Sequence, residues 1–512
     1  MNARRLAASL VACLALAAAD SRAQILFDAP VSFEGGGLAQ HARVGDLNGD
    51  GWPDAVVGHF IFFGAGLTIS FGEGGGALGP WQSIPTAPGM DAVDAIADFD
   101  ADGHLDLLVH DAGGQAVGSV KVLFGDGTGA FPTNVSLNTT QGSPRTAAVG
   151  DFDADGTLDV VISNGFQGFS VGALLVVMGQ GGGSFDTPQQ IPNMPSPDFS
   201  QGGTVHCGDL DGDGLDDIVF RGNSGVSLLS QGDGSFAPSC PGGGCFLPVG
   251  ADLVLADVNG DGRDDAVTTV QVMPATPEGN FALGQVLAVT GVPTAVDVGD
   301  LDGDGELDVV IGRNIVSSMF DPGLTVGDVL VLRGNGDGTF QLPGLVVSHV
   351  PQPRDVAIAD LDADGRPDVL AANFQSLALR VLPNRTYGPG SPFLDLGGVL
   401  PGTHGWPIQI AGGTLVPGTP FSFRLLNGVP TGSAFHFVGL AALNAPFKGG
   451  TMIPVPHLVN GPFPLDATGA LTLAGTWPAG GSGLSLWAQF WIPNGGGPVG
   501  FVASSGVRAQ IP

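Results

Sequence analysis

The chain is short of positive charge. Its 512 residues hold 17 Lys and Arg against 49 Asp and Glu, a formal charge of −32. Phosphate backbones are gripped by basic footprints, so nucleic acid is excluded as a partner, and the surplus acid points to cations. Cysteine is scarce too, with four copies. Cys240 and Cys245 bracket "PGGG" and could close a small disulfide loop in an oxidising compartment, whereas Cys207 reads as a small buried hydrophobe. No second Cys or His pair accompanies them, which argues against zinc. Despite 86 glycines there is no G-X-Y period, so the chain is not collagen-like, and at 43% hydrophobic it is not disordered. With 39 prolines added, the mixture fits short strands and tight turns.

Long apolar runs are also missing beyond the N-terminus, so no transmembrane span is expected. The N-terminus itself, "MNARRLAASLVACLALAAADSRAQ", carries Arg4 and Arg5, an apolar run and a small-x-small site at Ser21-Arg22-Ala23. This reads as a secretory signal peptide over 1–23, cleaved between Ala23 and Gln24, and predicts a secreted or cell-surface protein.

What is present is a repeat. "GDLNGDGWPDAVV" at Asp46 returns as "ADFDADGHLDLLV" at Asp98, "GDFDADGTLDVVI" at Asp151 and "GDLDGDGLDDIVF" at Asp209. It returns again as "ADVNGDGRDDAVT" at Asp257, "GDLDGDGELDVVI" at Asp300 and "ADLDADGRPDVLA" at Asp360. The starts lie 52, 53, 58, 48, 43 and 60 residues apart, a spacing that fits propeller blades.

Within each copy, oxygen-bearing side chains stand at loop positions 1, 3, 5 and 9. The candidate metal ligands are therefore Asp46, Asn48, Asp50 and Asp54; Asp98, Asp100, Asp102 and Asp106; Asp151, Asp153, Asp155 and Asp159; and Asp209, Asp211, Asp213 and Asp217. The last three loops supply Asp257, Asn259, Asp261 and Asp265; Asp300, Asp302, Asp304 and Asp308; and Asp360, Asp362, Asp364 and Asp368. Position 6 is always Gly, while position 7 changes freely (Trp52, His104, Thr157, Leu215, Arg263, Glu306, Arg366), as it would if only its carbonyl were used. These ligand positions hold 26 of the 49 acids, and such crowded carboxylates repel one another without a cation. Up to seven calcium ions are expected. An EF-hand is excluded, because position 12 carries no Glu and a β-branched run such as "DVVI" follows directly.

A Gly-rich stretch follows each of the first six loops after a short strand, ending at Leu78, Phe131, Phe185, Phe236, Phe281 and Phe340. These read as hairpin turns, not phosphate loops, since no Lys-Ser/Thr or helix follows. Phe27 stands 19 residues before Asp46, the same phase that these terminal residues keep to the next loop. The seventh copy stops after its third strand, near Asn384. The expected architecture is thus all-β: a seven-bladed β-propeller over 24–386, its four-stranded blades closed by the N-terminal strand, then a β-sandwich-like domain over 387–512.

The Asp-rich loops, their following strands and the "GDGTF" turns resemble FG-GAP/VCBS repeats, the units of integrin-α-like propellers, over residues 25–386. That resemblance implies calcium in a structural role, held by Asp46, Asn48, Asp50, Asp54 and their counterparts. The segment from Gly388 is similar to uncharacterised C-terminal domains of secreted planctomycete proteins, which implies no activity. Its Trp406, Trp477, Trp487 and Trp491 read as core rather than as a sugar-binding surface.

If the strands run outward in order, the calcium loops and Gly-rich turns share one face and variable loops occupy the other. Phe60, Phe62, Phe166, Phe169, Met319 and Phe320 lie in those variable loops. "GFSVG" from Gly168 matches a nucleophile elbow but lacks the strand-turn-helix setting, and no H-E-x-x-H occurs. No catalytic constellation survives. The expectation is a non-enzymatic binding or adhesion protein with an extracellular protein or glycan ligand, attached to a surface, if at all, through its C-terminal domain. A lectin or a polysaccharide lyase or hydrolase built on the propeller is the rival reading.

Overall fold

The computed structural model describes residues 25–511 with interruptions, the longer ones at 35–38, 60–65, 85–91, 112–117, 138–142, 166–172, 193–202, 241–249, 317–324, 374–377, 387–392, 396–406, 478–483 and 494–499. The leader and its cleavage site, Cys245, "GFSVG", Trp406 and the six variable-loop residues from Phe60 to Phe320 all lie outside the described residues. Among those described there is no helix, and so none long and apolar enough to cross a membrane.

Each Asp-rich loop joins two antiparallel strands, and its position 9 is the first residue of the second strand. In the first sheet Ala39–Gly45 runs into the loop and Asp54–His59 out of it, followed by Leu67–Ser70 and Gln82–Ser83. The same meander recurs from Ala92–Ala97, Ser143–Gly150, Thr204–Gly208, Leu253–Ala256, Val292–Gly299 and Pro353–Ala359. The fifth sheet has three strands and the others four. In the seventh, the fourth strand is Val31–Glu34, paired antiparallel with Ala378–Leu382, and Phe27 bridges Asn384 beside it.

The second strand of each sheet is apolar on successive residues because both its faces are covered. Val56 packs towards the second sheet and Val57 towards the seventh; Val160 faces the second and Val161 the fourth. A side chain alternates sides along a strand, so "DVVI" feeds two cores at once. Each fully buried Val or Leu contributes about 1.5–3 kcal/mol. A separate buried cluster fills the space between every sheet and the next, ending with Leu370 and Leu379 of the seventh against Ala42 and Val57 of the first.

The first strands also touch one another through polar side chains. Thr146 Oγ1 accepts the Val205 N–H, Asp252 that of Val296, Asp297 that of Ile358, and Asp355 that of Ala42. Asp355 further pairs with Arg43 at 3.1 Å, and Arg43 donates to the Asp94 carbonyl. These contacts link the first sheet to the second, the third to the fourth, the fifth to the sixth and the sixth to the seventh, and Asp355 to Ala42 joins the seventh to the first.

Beyond the repeats, the strands Pro420–Leu426, Ile408–Gly413 and Leu471–Thr476 form one sheet, and a six-stranded sheet centred on Ser485–Pro493 packs over it. Their shared core contains Phe423, Leu425, Trp477, Phe490 and Val507, and Trp491 is buried in an adjoining cluster. Trp487 is half-buried. Cys240 is bonded in a disulfide and Cys207 is free, half-buried against the cluster between the third and fourth sheets.

Candidate metal centre

Each loop is shaped by its own carboxylates. In the third, Asp151 accepts the Gly156 N–H at 3.1 Å, Asp153 that of Asp155 at 3.2 Å, and Asp155 that of Thr157 at 2.8 Å. The same three bonds recur in the second, fourth, sixth and seventh loops. Closing position 1 onto position 6 requires a left-handed turn. The seven position-6 glycines have φ between 80° and 90°, a region that side chains avoid. Position 4 is left-handed as well, with φ from 52° to 84°, and it is filled by Gly in four loops and by Ala101, Ala154 and Ala363 in three. Sequence reasoning missed that second constraint, although the restriction to Gly and Ala signals it.

Position 9 is a clamp. Asp159 accepts the Phe152 N–H with one oxygen at 2.9 Å and the Gly179 N–H with the other at 2.7 Å. Asp54, Asp106, Asp217 and Asp308 make the same pair, to position 2 of their own loop and to the start of the Gly-rich turn, and Asp368, whose sheet has no such turn, accepts from Leu361 and Asn384. Asp265 accepts from Ala275 and from the Asn259 amide. In each of the first six sheets the Asp-rich loop and the Gly-rich turn therefore stand side by side on one edge. Burial pushes the carboxyls of Asp54, Asp106, Asp159 and Asp265 up to about 6 and those of Asp217 and Asp308 up to about 7, against the pull of the N–H donors; Asp368 is also raised.

Neighbouring loops are stitched together. Asp216 and Asp264, at position 8, accept the N–H of Asp151 and Asp209 in the preceding loop. The turn glycines Gly129, Gly338 and Gly76 donate to the position-2 carbonyls of Leu47, Val258 and Leu361 in the preceding sheet, the last again crossing from the first sheet to the seventh.

Carboxylate oxygens converge within 4.8 Å in five loops: Asp98, Asp100 and Asp106; Asp151, Asp153 and Asp159; Asp209, Asp211 and Asp217; Asp300, Asp302 and Asp304; and Asp360, Asp362 and Asp368. An all-oxygen, multiply charged donor set with a half-buried wall suits a hard divalent cation such as calcium, which would be held by these side chains and would neutralise their repulsion. Position 5 stands outside the converging set in the second, third and fourth loops, turned towards the N–H of position 7. In the first and fifth loops the amide N–H groups of Asn48 and Asn259 donate to Asp50 and Asp265, while their side-chain oxygens accept the N–H of Asp50 and Asp261. Arginine reaches three loops: Arg263 pairs with Asp261, Arg333 with Asp302, and Arg366 and Arg385 with Asp364. Spacing alone did not announce Arg333, 31 residues from Asp302, or Arg385, 21 residues from Asp364.

A shallow depression of about 470 Å³ opens beside the first Gly-rich turn, lined by Ser32, Phe33, Glu73, Leu78 and Trp81.

The strand meanders and repeated loops define an all-β repeat protein of the propeller class. More particularly, the chain carries FG-GAP-like repeats: the FG-GAP-like repeat model matches residues 46–109, 98–162, 209–268 and 316–371. Among solved structures it is similar to the Dos1 propeller, at 11% identity and a TM-score of 0.39 over 70% of this chain and 95% of that one. It is also similar to the Photorhabdus luminescens Tc holotoxin pore, at 13% identity and 0.35 over 91% of this chain and 20% of that one. An exo-β-1,3-galactanase from Phanerochaete chrysosporium with β-1,3-galactotriose gives 8% and 0.27, over 83% and 96%. No curated protein matches the chain.

Proposed function

We propose that the chain is a secreted or cell-surface, calcium-stabilised propeller of seven blades, closed by its N-terminal strand, that acts in ligand binding or adhesion and not in catalysis. The observation that carries it is repetition. The same loop, with the same carboxylate bonds and left-handed turns, is built again and again, whereas an active site needs one unique geometry. The pairing of Val31–Glu34 with Ala378–Leu382 and the links from Asp355 to Ala42 and Gly76 to Leu361 support closure. Calcium screens carboxylates that burial otherwise penalises, and it fixes the loop edge so that the opposite face is free to vary. The C-terminal sheets, with their own core, serve as a cap or a surface tether. Calorimetric titration of the EDTA-treated chain tests the metal claim: several calcium ions bind with micromolar or tighter affinity, and no heat of binding would refute it.

A second reading, a glycan ligand, is favoured by the depression holding Trp81 and Glu73, since an indole face and a carboxylate are the two elements that sugars use. A glycan array on the wild-type chain and on Trp81→Ala decides it: signals lost in the variant place a sugar there, and no signals leave a protein ligand.

A further inference from the structure

We propose that the seventh Asp-rich loop carries its counter-charge internally: the guanidinium groups of Arg385 and Arg366 stand where the other loops take a cation, and this loop binds none. The inference rests on the calcium reading of the remaining loops.

Two arginines converge on this loop, where the fifth and sixth each receive one. Arg385 lies three residues past the third strand of its sheet and its side chain is 2% exposed. Its Nη1 sits 2.7 Å from Asp362 Oδ2 and 3.1 Å from Asp364 Oδ2, and both carboxylates are fully buried. Arg366, at position 7 of the same loop, reaches Asp364 Oδ2 as well, while its Nε donates to the Asn384 carbonyl. Among the described residues, no carboxylate of the second, third or fourth loop makes an ion pair with Lys or Arg.

Charge and space point the same way. Two guanidiniums, always protonated, bring +2, the charge of one calcium ion. A calcium ion needs six to eight oxygens at about 2.3–2.6 Å. Asp360, Asp362 and Asp368 converge within 4.8 Å as their counterparts do in the second to fourth loops, but here Asp362 and Asp364 each direct one oxygen at guanidinium N–H groups, so an ion entering there must first expel a buried arginine. Removing one partner of a buried pair leaves an uncompensated charge, which makes that expulsion costly. The sixth loop receives a single arginine: Arg333 pairs with Asp302 and stands 3.7 Å from Asp304, so only one guanidinium charge reaches it. Arg385 also ties the ring's exit to the loop, since Asn384, Arg385 and Thr386 are all buried and Asn384 donates to the Leu301 carbonyl of the preceding sheet.

Native mass spectrometry of the full chain in excess calcium counts the ions. Asp153→Asn with Asp155→Asn should lower the count by one, whereas Asp362→Asn with Asp364→Asn should leave it unchanged. Arg366→Gln with Arg385→Gln should raise it by one. A count that falls in the Asp362/Asp364 variant overturns the proposal, and that arm stands even where the arginine variant fails to fold. So does an arginine variant that folds and gains no ion. Should the wild-type chain bind no calcium, the calcium reading falls by itself, and melting in EDTA then decides the arginine role. Arg385→Gln should lower the midpoint by several degrees and adding Asp362→Asn with Asp364→Asn should restore it, while an unchanged midpoint in Arg385→Gln overturns the internal counter-charge.

Discussion

Ala154 and Gly156 occupy two left-handed positions of one loop, with φ of 60° and 80°. A Cβ at Gly156 would meet no atom within 4 Å, so the demand for glycine there is conformational and not steric. Gly156→Ala is expected to destabilise the chain by about 1–2 kcal/mol. Ala154→Gly is expected to stabilise it by up to about 1 kcal/mol, the relief of left-handed strain exceeding the added chain entropy. Urea unfolding in EDTA reads both, and equal effects of the same sign would contradict the assignment. A second residue sets an acid sensitivity. His436 is buried between Phe490, with ring centroids 4.3 Å apart, and Phe423, at 5.1 Å. Burial lowers its pKa from the ordinary 6.5 to about 4. Because the folded value is the lower one, the fold keeps full stability above 6.5 and loses it as the pH falls towards 4, by roughly 3 kcal/mol for a shift of this size. His436→Phe should remove that loss from the unfolding of the C-terminal sheets; an unchanged slope of midpoint against pH between 7.5 and 4.5 would contradict it.

At the scale of the element, the unit is the loop and turn clamped by one aspartate. Asp159→Ala deprives the Phe152 and Gly179 N–H groups of their acceptors in a buried setting, and should cost about 2–4 kcal/mol even in EDTA, where no metal contributes. Asp159→Asn keeps one acceptor oxygen and should cost less. Denaturant unfolding in EDTA that shows no loss in Asp159→Ala would mean that position 9 matters only as a ligand. The strands, the loops and the turn beginning at Gly179 were legible because their signals are local: "DVVI", a fixed 1-3-5-9 spacing and glycine at the bend. The clamp was not, since the residues it joins are 20 apart and Asp159 looks like any other loop acid. The same holds for Asp216, whose contact with Asp151 spans 65 residues and depends on how neighbouring sheets are placed. In the Gly-rich turns, "GDGT" and "GDGS" hide a further device: Asp126, Asp233 and Asp337 each accept both the N–H and the hydroxyl of the Thr or Ser two residues on, which holds their carboxyls below the usual range.

For the whole molecule, the phase of Phe27 could be counted along the sequence, and Phe27 does sit opposite Asn384. The first-strand acids could not be foreseen, because Asp252, Asp297 and Asp355 each serve a strand belonging to the next repeat. The variable loops expected to form a ligand face lie outside the described residues, so the site described belongs to the edge that carries the repeated loops. The two parts of the chain have separate cores and very different charge, and that separation supplies an internal control. The most direct test is differential scanning calorimetry of the full EDTA-treated chain titrated with calcium. The account predicts that the transition of the repeat-bearing part rises by many degrees with calcium and much less with magnesium, which resists giving up its water shell, while that of the C-terminal sheets stays in place. A repeat transition that does not move with calcium would contradict it.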